Sequence, residues 1–157
     1  NGSSRPTFPN ARYLVPRADW DVFTRRAGMS MFAYVREQIL PLEALGLIDF
    51  VDGEHFVSEE VSTVSTPGHT AGHLSVEISS QGEKAIIVGD AVHNPVQVHE
   101  TNWSPKADVD PRKSAESRRE LMERIEKEKA LLISGHFPEP GFGYLVQQGG
   151  RRYWQAL

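Results

Sequence analysis

The sequence contains no cysteine, so neither a disulfide nor a thiolate metal site can form within it. A metal held by these residues has to be held by histidine and carboxylate. No apolar run approaches the ~20 residues that cross a bilayer as a helix, and no stretch has the make-up of a signal peptide. A membrane is therefore not an expected partner. The chain opens Asn1-Gly2-Ser3-Ser4 rather than with Met, and the cytoplasm is the default expectation for its location. A strong charge of one sign is also missing. The formal net charge is -4, and the lysines and arginines form no stripe, so nucleic acid is not an expected partner. The basic residues from Arg112 to Lys129 alternate with Glu116, Glu120, Glu123, Glu126 and Glu128, the pattern of a solvated helix face. No histidine precedes His55.

What is present suits one domain with one core: 157 residues, 39% hydrophobic and 24% charged. The opening ten residues are rich in turn-formers and read as a loop. Arg12 to Val15 is a strand candidate. Pro16 to Arg26 and Phe32 to Leu45 carry apolar residues at helical spacing, with Pro41 placed to kink the second helix and Gly46 to stop it. The middle of the chain reads as β: Val61 to Ser65, Leu74 to Ser79 and Lys84 to Val88, with Gln81-Gly82 as a hairpin turn. The apolar run Ala85 to Val88 predicts a strand covered on both faces. Pro111 to Lys127 predicts a helix capped by Asp110, with Leu121, Met122 and Ile125 as its apolar stripe. Ala130 to Ile133 is a buried strand, and a hairpin through Gln147-Gln148-Gly149-Gly150 closes the chain. Phe8, Trp20, Trp103, Phe137 and Phe142 are expected in the core, where large aromatics usually lie. The expected organisation is a single partial domain over 1–157, with a connecting loop and helices over 1–60 and a β/α half over 61–157.

Three polar loops share one design. Each follows a strand candidate and places His or Asp beside glycine. They are Ser65 to His73 with His69 and His73, Gly89-Asp90 with His93, and Ser134-Gly135-His136. Loops leaving strand ends are where layered α/β proteins build their sites, because the sheet holds them rigidly. Two imidazoles and a carboxylate form a ligand set for Zn²⁺, Fe²⁺ or Mn²⁺ that leaves positions for water. A metal bound there lowers the pKa of that water enough to give hydroxide near neutral pH, and it polarises the bond to be broken.

These loops carry a resemblance. Thr66-Pro-Gly-His-Thr-Ala-Gly-His73, Val88-Gly-Asp-Ala-Val-His93 and Ser134-Gly-His136 are similar, in kind and order, to three metal-ligand motifs of the metallo-β-lactamase superfamily. Phe8 to Tyr13, Ala18 to Trp20, and Gly89 to Gln97 followed by Trp103 resemble its branch of N-acyl-homoserine lactonases and organophosphate hydrolases. The resemblance implies an α/β fold that is the C-terminal part of an αββα sandwich, with a mixed sheet and flanking helices. It implies that His69 binds a first metal, that Asp90 bridges two and serves catalysis, and that His136 binds the second, the metal being one or two zinc ions or iron or manganese. His73 is expected to orient neighbours around the site. His93 is expected to line the mouth or contact substrate, or else to be an exposed loop residue.

The family's His-x-His-x-Asp-His hallmark is not in this sequence. The resemblance therefore predicts a metal-dependent hydrolase, or the C-terminal part of one, that cleaves an ester, lactone or phosphoester of a small-molecule substrate. The rest of the centre would come from a missing N-terminal half or from a second copy in a homodimer. The alternative is a non-catalytic half-domain, an assembly partner with a weak or empty metal site.

Overall fold

The computed structural model of the chain describes residues 5–157, so residues 1–4 of the expected opening loop lie outside the described residues. The chain divides into two compact units, one ending at Asp52 and one running from Gly53 to Leu157.

In the first unit, β1 (Tyr13–Pro16) leads into α1 (Arg17–Phe23), α2 (Arg26–Met31), a π-helical turn over Val35–Ile39, α3 (Leu40–Ala44) and β2 (Ile48–Val51). The two strands pair in parallel. The helix expected over Pro16 to Arg26 stops early, because the Thr24 hydroxyl and amide both donate to the Trp20 carbonyl and close the last turn. The helix expected over Phe32 to Leu45 is not a kinked α-helix. Pro41 has no N–H to donate to the preceding turn, and the backbone widens into the π-turn just before it. Gly46 ends the segment at φ +68°. β2 is a strand the sequence pattern did not announce; Arg12 forms an ion pair with its Asp49. Trp20 packs edge-on to Phe50 with ring centroids 5.1 Å apart.

The second unit holds a six-stranded sheet made of β3 (Val61–Ser65), β4 (Leu74–Ser80), β5 (Glu83–Ile87), β6 (Leu131–Ile133), β7 (Phe142–Gln148) and β8 (Arg151–Ala156), in that spatial order. Every neighbouring pair is antiparallel except β5 and β6, which are parallel. The parallel pair is joined by a crossover that contains α4 (Pro111–Glu128). Asp110 caps α4 by accepting from the amides of Arg112 and Lys113. Leu121, Met122 and Ile125 of α4 share one core with Ile86 and Leu132 of the sheet and with Val88 just after β5, all fully or almost fully buried. Burial of one such side chain contributes about 1.5–3 kcal/mol.

Three expectations need correction here. The α4 charge run is not wholly solvated, because Arg118 is completely buried. It lies on the same helical stripe as Leu121, Met122 and Ile125. The run from Ala85 to Val88 is not covered on both faces: Ile86 and Val88 lie in the core with α4, whereas Ile87 on the other face is 37% exposed. That other face also carries Phe142, Tyr144 and Tyr153, all exposed. Of the aromatics expected in the core, Phe137 is buried, but Phe8, Trp103 and Phe142 are exposed.

The direction of the strands places the site. Since β3 and β5 are both antiparallel to β4, and β5 is parallel to β6, the strands β3, β5 and β6 all run the same way. Their C-terminal ends open on one edge of the sheet, and β4 starts there.

Candidate metal centre

The three loops at that edge bring His69, Asp90, His93 and His136 together. One ligand atom from each of His69, Asp90 and His93 lies within 4.8 Å of the others. His69 Nε2 is 3.5 Å from Asp90 Oδ2. His136 Nε2 is 2.6 Å from Asp90 Oδ1, and His93 Nε2 is 3.6 Å from the same oxygen. The His93 ring stacks on that of His136 with centroids 4.7 Å apart, and lies 5.1 Å from that of His69. The two oxygens of one carboxylate thus face different histidines.

Each residue is aimed by local structure. His69 follows Gly68, whose φ is +134° and which lies so close to the start of α4 that a Cβ there would sit 2.1 Å from the Ser114 amide nitrogen. The Gly68 and His69 carbonyls accept from the amides of Asp110 and Val109, tying this loop to the helix start. Behind His69, its Nδ1 is 3.0 Å from Oδ1 of Asp108, a carboxylate with no exposed side-chain surface. With that carboxylate as acceptor, the Nδ1 carries the proton, and the Nε2 lone pair points toward Asp90.

Asp90 stands in a 3₁₀ turn (Gly89–Ala91) after β5. Its amide donates to Nε2 of His73 at 2.9 Å, which leaves the His73 proton on Nδ1, facing the hydroxyl and carbonyl of Thr66 at 2.8 and 3.2 Å. His73 therefore orients the Asp90 backbone and does not offer a free nitrogen to the cluster. Gly89, at φ +55°, makes room for that ring, since a Cβ would lie 2.8 Å from its Nε2. Burial works against the ionised Asp90 carboxyl, but the hydrogen bond from His136 and the neighbouring His69 and His93 outweigh it and hold its pKa below the ordinary value. Burial is the largest cause of the lowered His93 pKa, opposed by Asp90 and reinforced by His136 and His69.

His93 is anchored by its backbone: the Gln97 side-chain oxygen accepts from the amides of His93 and Asn94 at 2.7 and 3.0 Å. Its Nδ1 is buried without a hydrogen-bond partner among the described residues. His136 follows β6, and its amide donates to the Ser134 hydroxyl at 3.2 Å. Its side chain is 45% exposed.

The donor set fits a divalent cation. Imidazoles and a carboxylate converge from separate loops, with no thiolate among them, which is a donor chemistry suited to such an ion. The residues that support this cluster from behind, Asp108, Arg118 and Gln97, were not singled out by the sequence reading. Arg118 left a signal, since it falls four residues after Ser114 and three before Leu121 on the buried face of α4. Asp108 and Gln97 left none, because their roles rest on partners brought close only by folding. His55 and His99 stay outside the cluster.

The chain is similar to known proteins in sequence and in fold. The profile of the metallo-beta-lactamase superfamily matches residues 10–136. The N-acyl homoserine lactonase AiiA of Bacillus thuringiensis subsp. kurstaki is 28% identical over 130 residues, which is 82% of this chain and 48% of that protein. An N-acyl homoserine lactonase of Bacillus cereus is 27% identical over a stretch of the same length. The chain spans about half the length of the curated relatives it matches. Among solved structures, the hydrolase AbOPH of the beta lactamase superfamily superposes with a TM-score of 0.81 over 96% of this chain and 56% of its own, at 23% identity, a likeness of fold. An N-acyl homoserine lactone hydrolase, solved with N-hexanoyl-L-homoserine bound at its catalytic metal centre, superposes with a TM-score of 0.64 at 28% identity over 80% of this chain and 47% of its own. With more than half of its residues matched by the family profile, and the fold to go with them, this chain belongs to the metallo-beta-lactamase superfamily.

Proposed function

We propose that the chain is a metal-dependent hydrolase, or the C-terminal part of one, that cleaves an ester, lactone or phosphoester of a small molecule, with a lactone the favoured substrate. The observation that carries this reading is the placement of Asp90, whose Oδ2 faces His69 and whose Oδ1 faces His136 and His93. A carboxylate addressed from two sides by imidazoles suits a position shared between two metals. In this reading His69, Asp90 and His136 hold the metal, as zinc or as iron or manganese, and His93 stands beside Asp90 where it borders substrate or completes the donor set.

A divalent cation held there supplies Lewis-acid chemistry, acidifying water and polarising the bond to be cleaved. The chain's own residues prepare for it. Asp108 fixes the His69 proton on Nδ1, His73 holds the Asp90 backbone by its amide, and Gln97 holds the His93 backbone. The lactone preference is supported by the homoserine lactonases among the relatives.

The part of the centre that this sequence lacks would be supplied by an N-terminal half or by a second copy. The sheet face bearing Ile87, Phe142, Tyr144 and Tyr153 carries a cluster of exposed apolar and aromatic side chains, and clusters of this kind favour association.

The test is hydrolysis by the zinc-loaded chain, assayed against an N-acyl homoserine lactone and a phosphotriester, with Asp90→Ala as control. Turnover of the lactone that Asp90→Ala abolishes is the expected result. Zinc uptake without turnover of either substrate would leave the non-catalytic half-domain as the better reading.

A further inference from the structure

A charged side chain on the apolar stripe of a helix is costly unless every donor is matched. Arg118 has no exposed surface, and its guanidinium is matched throughout. Its Nε donates to the Ala91 carbonyl at 2.7 Å, and its Nη1 donates to the Thr101 and Trp103 carbonyls at 2.7 and 2.9 Å. Its Nη2 reaches the Ser114 hydroxyl at 2.9 Å and Oδ2 of Asp108 at 3.5 Å.

These partners lead to the cluster by separate routes. Asp108 turns its other oxygen to His69. Ala91 directly follows Asp90. The Trp103 carbonyl also accepts from the Gln97 side-chain amide at 2.6 Å, and the oxygen of that amide holds the His93 backbone. One planar fork therefore touches the supports of three residues of the candidate metal centre, which arrive from two different loops. A lysine, with a single nitrogen, cannot reproduce that fork.

We propose that Arg118 is a positioning residue for this centre: through Asp108 it fixes the tautomer and aim of His69, and through the Ala91 carbonyl it fixes the turn that carries Asp90. The proposal rests on reading His69 and Asp90 as metal-holding residues.

Asp108→Asn separates positioning from mere packing. Asparagine has one oxygen where aspartate has two. Arg118 offers only donors, so it claims that oxygen and leaves the asparagine NH₂ facing His69. The His69 Nδ1 must then accept, and its proton moves to Nε2, the nitrogen aimed at Asp90. The experiment is histidine ¹⁵N NMR on the metal-free full chain with neutral imidazoles, the His69 signals being assigned by their loss in His69→Gln. A zinc titration against a chromogenic chelator and a thermal melt accompany it.

The expected result is an Nδ1–H tautomer at His69 in the unaltered chain and an Nε2–H tautomer in Asp108→Asn. Zinc affinity should fall about 10–100-fold in that variant, as for the loss of an outer partner of a ligand. Adding Arg118→Met to Asp108→Asn should return the proton to Nδ1, because the asparagine oxygen is free again. If that double variant does not fold, Asp108→Asn alone decides. An Nδ1–H tautomer retained in Asp108→Asn, or a flipped tautomer with unchanged zinc affinity, overturns the proposal. If the unaltered chain takes up no zinc, the metal reading fails, and the tautomer comparison still decides the positioning role of Arg118.

Discussion

His69 and His136 face the same carboxylate and are held in contrasting ways. His69 is 18% exposed, backed by a buried carboxylate, and sits on a loop pinned to the start of α4. His136 is 45% exposed, and besides its bond to Asp90 and its stacking on the His93 ring, its amide donates to the Ser134 hydroxyl. In the proposed reading, the first is oriented for a ligand role before any metal arrives. In the same reading, the second is the more exposed of the two and can adjust when a partner element or a metal arrives. A centre built this way keeps its aim on one side and its adaptability on the other.

Removing the two histidines in turn should expose that difference most strongly. His69→Ala is expected to weaken zinc binding on the order of 100-fold or more, above the range for losing an outer partner. His136→Ala should weaken it roughly tenfold, since less preorganisation is lost. Titration of both variants checks the ranking, and equal losses would break the comparison.

The neighbouring glycines sharpen it. A Cβ at Gly68 meets the α4 backbone in a backbone conformation that favours glycine, whereas a Cβ at Gly135, beside His136, meets nothing within 4 Å. Gly68→Ala is expected to cost about 2–4 kcal/mol from strain and overpacking. Gly135→Ala is expected to stay within about 0.5 kcal/mol. Denaturant melts of the two variants test this, and a Gly68→Ala chain of undiminished stability would contradict the packing described.

Much of this was legible in the residues. The β3 run, the Gln81-Gly82 turn and the Asp110 cap stand where their local chemistry puts them, because each depends on neighbours in sequence. His69, Asp90 and His136 were visible as polar residues beside glycine at strand ends. The shared direction of β3, β5 and β6, which brings those loops to one edge, follows from pairing across the sheet. Asp108 was hidden for a related reason: its partner His69 lies 39 positions away. β2 was missed because Asp49 interrupts its apolar pattern, and strands are depleted in aspartate. Ile87 misled because a continuous apolar run looks the same whether one face of the strand is covered or both.

A far smaller effect, remote from both histidines, serves as a control. Hydrogen bonds from Gln147 and Arg152 hold the Glu126 carboxyl below the ordinary carboxylate range. A pKa lower in the folded state gives stability that is present above the unfolded value and lost as pH falls through the folded one. Glu126→Gln should therefore melt slightly below the unaltered chain near neutrality, with the two curves converging in acid. Its zinc affinity should not change. A gap that widens in acid would contradict the assignment.

The most direct test of the account is metal content per chain, measured by elemental mass spectrometry on the unaltered protein and on Asp90→Ala, both purified without added metal. At least one divalent cation per unaltered chain is expected, and almost none in Asp90→Ala, with both chains folded by circular dichroism. Equal metal content in the two would contradict it.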